Sequence, residues 1–194
     1  MKPVKKSLLL IFLLSAFSFT AHAQLNPFTT DGCSGPGVPD GLPNLSGDDD
    51  WRHCCVVHDI SYWMGGEKWE RRLADLNLES CIESLPMIKK RLPLQGVLYF
   101  SGVFYGGAPY YGIKLLKSPF PWRWGYGWQE KKNYHRFSPS EFDLVEVELE
   151  GFLKTLEEDN QAASKLNLSV EQLRYVTEKI KLKINHLKDR PFNH

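Results

Sequence analysis

The chain has 194 residues, 42% hydrophobic and 24% charged, with a formal net charge of +1. That length and balance fit one good globular core and exclude a disordered or fibrous chain. No polybasic field is present, so nothing points to nucleic acid as a partner.

Met1 to Ala23 read as an export signal. Lys2, Lys5 and Lys6 give a basic start, Leu8 to Phe19 an apolar run, and Ala21-His22-Ala23 a small-x-small cleavage site. The run is too short to serve as a membrane-spanning anchor. The expected mature chain begins at Gln24 and is secreted or periplasmic. Losing three lysines takes its formal net charge from +1 to −2. Cys33, Cys54, Cys55 and Cys81 are an even set, which in an oxidising compartment implies two disulfides. Three pairings are open, of which Cys54 to Cys55 is geometrically poor for neighbours on a helix. A Cys/His zinc site is the competing reading of the same residues.

Residues 24 to 50 lack helical periodicity and are rich in Gly, Pro, Asp and Asn. A loop so dense in carboxylates and backbone carbonyls offers the hard oxygen ligands that calcium takes. The stretch Trp51 to Gly66, WRHCCVVHDISYWMGG, then predicts a helix. Asp48, Asp49 and Asp50 suit its positive end, and Gly65-Gly66 stops it. Cys54, His58 and Tyr62 recur every four residues on one face, with Cys55 and Asp59 on the next.

A second helix is expected over Glu67 to Glu83. Trp69, Leu73 and Leu76 share one side, while Asp75 falls in line with Leu78 and Ile82. An acid among apolar neighbours needs a partner. If the two helices run antiparallel and Cys54 bridges Cys81, His58 lies about 6 Å along from one cysteine and Asp75 about 9 Å from the other. The carboxylate and the imidazole then arrive at similar heights. Asp75 can accept one ring N–H, fix the tautomer and leave the other nitrogen as a base.

These residues carry a family resemblance. CCVVHDISYW followed by RLADLNLESC resembles the secreted phospholipase A2 family, whose signature is Cys-Cys-x-x-His-Asp-x-x-Tyr. TDGCS resembles the calcium loop of its bacterial members. The resemblance covers about residues 28 to 83. It implies hydrolysis of the sn-2 ester of a glycerophospholipid at a membrane surface, with His58 and Asp75 as a dyad that activates water and Tyr62 supporting it. It further implies Ca2+ held by Asp31, the Gly32 carbonyl and Asp59, and disulfides Cys33–Cys55 and Cys54–Cys81. A third family bridge would join positions occupied here by Ser61 and Ala74, so both of its partners are absent together.

Leu92 to Ile113 carry no charge but contain Pro93, Pro109 and several glycines, which favours a buried helix over a membrane span. In PFPWRWGYGWQ, the residues Trp122, Trp124, Tyr126 and Trp128 read either as a lipid-interface lip or as an aromatic loop covering the core. Ser138-Pro139-Ser140-Glu141 is a capping box, and Ser169 with Gln172 opens another helix. Residues 141 to 159 hold eight acids and one lysine, against six bases and three acids over 170 to 190, so these helices should attract. The hairpin reads as structural cover, with a lid, a protein-partner arm or a dimer seam as alternatives.

The expectation is an all-α, mostly helical protein. It has a signal peptide (1–23), a phospholipase A2-like unit with two antiparallel disulfide-linked helices, a calcium loop and an apolar helix (24–135), and a helical hairpin (136–194). The rival readings are a non-catalytic exported lipid- or protein-binding module and a zinc protein.

Overall fold

A computed structural model describes residues 24–30, 51–86, 97, 101, 123–130, 133–159 and 164–189. The expected signal segment, the Asp31-Gly32-Cys33 loop, Trp122 and most of the apolar run lie outside these residues. Among the described residues the protein is all-α: α1 (Arg52–Met64), α2 (Lys68–Ser84), α3 (Pro139–Glu158) and α4 (Val170–Lys188). Of the apolar run, Val97 and Ser101 are described, and both are helical. No helix among the described residues is long and apolar enough to cross a membrane.

Local signals set most helix ends. Ser138 accepts from Glu141 N while Glu141 accepts from Ser138 N, and Pro139 takes the first helical position of α3. Ser169 and Gln172 make the same reciprocal pair at α4. These are the expected capping boxes. At α2 a third one appears, with Glu67 at the N-cap and Glu70 reaching back to it, so the helix starts one residue later than its periodicity predicts. The start of α1 differs from expectation: Trp51 holds the N-cap position with no side-chain cap. The acidic run 48–50 lies outside the described residues.

Gly65 ends α1 with φ of +76°, and an added Cβ would come within 2.9 Å of the Gly125 Cα. Only glycine meets both demands without strain. The chain can then turn back into α2 while a second segment closes over the turn.

α1 is the central element. Its Val56, Ile60, Trp63 and Met64 join Phe142, Val145 and Leu149 of α3 and Val176, Ile180 and Ile184 of α4 in the main core. The line at Cys54, Cys55, Leu78 and Ile82 packs α1 against α2 in a second cluster. The hairpin therefore shares a core with the helix that carries the His58 motif. Its opposite charges meet as expected: Lys188 pairs with Glu146 at 2.9 Å and Glu150 at 3.0 Å, and Lys181 with Glu157 at 2.8 Å. At the surface such pairs add little each; the buried apolar seam does most of the joining.

Candidate active site

The disulfide Cys54–Cys81 is present, with a Cα–Cα distance of 5.8 Å. It staples the first turn of α1 to the last turns of α2. Cys55 is disulfide-bonded too; Cys33, the partner implied by the resemblance, lies outside the described residues. His53, Cys54 and Cys81 have ligand atoms close enough for a metal. Two of those sulfurs are consumed in the bridge, and no thiolate remains there for zinc.

Along the stapled pair, His58 and Asp75 meet. His58 Nε2 lies 3.1 Å from Asp75 Oδ1. Asp75 is fully buried in the line with Leu78 and Ile82. Its Oδ1 also accepts the Tyr62 hydroxyl at 2.7 Å. Arg71, one turn before Asp75 on α2, donates Nε to the Tyr62 oxygen at 3.1 Å and Nη1 to Tyr134 at 2.8 Å. Its Nη2 stands 3.7 Å from Asp75 Oδ2, an ion-pair distance. Asp75 therefore has a permanent cation beside it as well as the titratable one, which a buried carboxylate needs whenever the imidazole is neutral.

Because Nε2 faces a carboxylate, the neutral ring carries its proton there and leaves Nδ1 as the basic nitrogen. Nδ1 lies 3.7 Å from Asp59 Oδ1, too far for a hydrogen bond. Burial pulls His58 down, but the negative charge of Asp59 close by and the hydrogen bond and charge of Asp75 outweigh it and lift its pKa above the ordinary value. Burial, then the Asp75 charge, push the Tyr62 phenol well above its usual range, so it stays a neutral donor.

Asp59 faces the amino-terminal segment, where the Thr30 hydroxyl donates to its Oδ2. A chain of backbone contacts fixes that segment. Leu25 and Trp128 form an antiparallel bridge, Asn26 N donates to Gly127 O at 2.7 Å, and Tyr126 Oη donates to Thr29 O at 2.6 Å. The residue just before Asp31 is thus held on Asp59. Asp59 brings one carboxylate there, the hard oxygen donor that calcium takes; Asp31 and Gly32 themselves lie outside the described residues.

The aromatic stretch behaves differently from a lipid lip at two of its positions. Trp124 and Trp128 are buried, and their indole N–H groups donate to Gly66 O at 3.0 Å and Met64 O at 2.7 Å. Backbone N–H groups of Gly125 and Gly127 take the Tyr62 and Trp63 carbonyls. The stretch satisfies the carbonyls at the end of α1 that lack helical partners. Covering the core is the part these two tryptophans play. Trp69, Leu73 and Leu182 are among the apolar side chains left half-exposed, and these three line a cavity of about 590 Å³ between α1, α2 and α4. His58 and Ser61 also face this cavity.

Reasoning from sequence brought His58, Asp75, Tyr62 and Asp59 together, and the structure does the same. Arg71 escaped it, although its position four before Asp75 is the spacing of a helical ion pair. Tyr134 and Thr30 carry no such signal. Comparison with family models, with curated proteins and with solved structures finds no match.

Proposed function

We propose that the protein is a calcium-dependent, exported hydrolase of glycerophospholipid esters, acting as the secreted phospholipase A2 family does at the sn-2 position. The observation that carries this reading is the 3.1 Å contact between His58 Nε2 and Asp75 Oδ1 across two disulfide-linked helices. It leaves Nδ1 as the base on a histidine that lines a cavity within the range of small-ligand sites.

In this reading water attacks the ester carbon and His58 Nδ1 takes its proton. Asp75 holds Nε2–H and offsets the imidazolium charge as it forms, while Tyr62 and Arg71 keep the carboxylate in place. The proton on Nδ1 then passes to the departing glycerol oxygen, giving a fatty acid and a lysophospholipid. Asp59, with Asp31 and the Gly32 carbonyl, would hold the calcium ion. When bound, that ion supplies positive charge to polarise the ester carbonyl.

The test is fatty-acid release from phospholipid vesicles by the purified mature chain. Release in calcium that stops on adding chelator supports the reading. Binding to vesicles without any release leaves a non-catalytic lipid-binding module instead.

A further inference from the structure

The cavity beside His58 has a wall that the phospholipase resemblance does not cover. That wall is α4, where Lys179, Leu182 and Lys183 line the cavity opposite α1 and α2. Both lysines are half-buried. The Lys183 ammonium donates to Ser61 Oγ at 2.8 Å, and the Lys179 ammonium stands over the Tyr175 ring, 5.2 Å from its centroid. Ser61 follows His58 by three residues on α1, so the two side chains are neighbours about 5–6 Å apart at Cβ. Glu70 is the one acid lining the cavity among the described residues, and its Oε2 accepts Glu67 N at 2.8 Å in the α2 cap. The wall is therefore cationic near the base, and apolar at Trp69, Leu73 and Leu182.

We propose that Lys179 and Lys183 bind the phosphate of an anionic glycerophospholipid and select head groups that carry no cation. This rests on the hydrolase reading above. In such a lipid two glycerol carbons and two oxygens separate the ester carbon from phosphorus, a tether about as long as one helical turn of ~5.4 Å. With the ester carbon at His58 Nδ1, the phosphate falls one turn along, where Lys183 sits. Both ammonium groups attract that phosphate and repel a choline or ethanolamine beyond it, so the discrimination follows from charge. The half-exposed Trp69, Leu73 and Leu182 give the acyl chains an apolar flank.

The experiment compares kcat/KM on dihexanoyl phosphatidylglycerol and dihexanoyl phosphatidylcholine, both below their micellar concentrations so that surface binding plays no part. The intact mature protein should prefer the glycerol lipid. Lys179→Gln and Lys183→Gln should each cut that preference about three- to tenfold. Lys183→Arg should keep most of it, and Lys181→Gln, whose lysine pairs with Glu157 away from the cavity, should leave it unchanged. An unaltered preference in folded Lys179→Gln and Lys183→Gln overturns the proposal. Should Lys183→Gln fail to fold, Lys179→Gln decides alone. Calorimetric binding of the glycerol lipid to His58→Gln protein, with and without the lysine changes, separates the two readings. Hydrolysis absent but lysine-dependent binding present sinks the hydrolase and keeps the phosphate site. Competition by inorganic phosphate that needs the lysines, without any lipid preference, marks a site for free anion and overturns the selectivity.

Discussion

At the scale of single residues, the weight falls on which nitrogen of His58 is free. His58→Gln should lose at least the roughly 10²- to 10⁴-fold that general-base catalysis typically supplies, with calcium affinity little changed because Asp59 remains. Asp75→Asn should lose less, since the imidazole stays but is worse oriented. A silent Asp75→Asn beside a dead His58→Gln would remove Asp75 from the mechanism; initial rates on vesicles decide it. The raised pKa of His58 adds a pH prediction with two opposite signs. The stabilisation it contributes is full below the unfolded value of about 6.5 and is lost as pH rises through the higher folded value. The proposed hydrolysis needs the neutral ring, so turnover should rise over that same interval. Calcium bound at Asp59, as proposed, would offset one of the two carboxylates that lift the pKa, so adding it should lower the His58 midpoint. Titration of the ring protons by NMR, with calcium and with chelator, reads both.

Between elements, the aromatic stretch acts at a distance from its own position. Tyr126 holds Thr29, and Thr30 holds Asp59, so the loop after Trp124 sets where the amino-terminal segment meets α1. Tyr126→Phe should weaken calcium binding by about three- to tenfold, the value of one hydrogen bond, while leaving the fold and the His58–Asp75 contact intact. Unchanged calcium affinity by calorimetry would separate the two. The helices themselves were legible because their information is local: Ser138 to Glu141 and Ser169 to Gln172 are caps readable within four residues, and Cys54, His58 and Tyr62 share a face by spacing alone. Asp75 was legible because an acid in line with Leu78 and Ile82 demands a partner. What stayed hidden is long-range. Val56, Ile60 and Trp63 give α1 a second apolar face; the sequence reads the hairpin as cover, but nothing in it says that this is the face α3 and α4 cover. Lys183 meets Ser61 across 122 residues, and no spacing rule connects them. Trp124 and Trp128 looked alike as lip or cover, because an indole suits either; the choice is made by carbonyls at the end of α1 that need donors.

For the whole molecule, the expected division between residues 24–135 and 136–194 runs through one core. Cutting the chain after His135 would strip the cover from Val56, Ile60 and Trp63. Each such side chain is worth about 1.5–3 kcal/mol on burial, and together they rival the roughly 5–15 kcal/mol net stability of a domain. The truncated chain should lose its near-ultraviolet circular dichroism and cooperative melting, with no turnover left. A folded, active fragment would show that the hairpin is an appendage after all.

The bridge between Cys54 and Cys81 ties the two helices that bring His58 to Asp75, closing a separation of 27 residues. By chain entropy, closing a loop of that size contributes about 3.5 kcal/mol. A copy still surrounded by cellular reductants lacks that contribution and holds its base and acid together by packing alone. In the exported lipid hydrolase proposed above, this wiring would act as a safety catch: the protein would be least assembled among the membranes of the cell that makes it, and would arm itself on reaching an oxidising space. Titrating the purified protein with dithiothreitol should cost activity and melting temperature together, and re-oxidation should restore both.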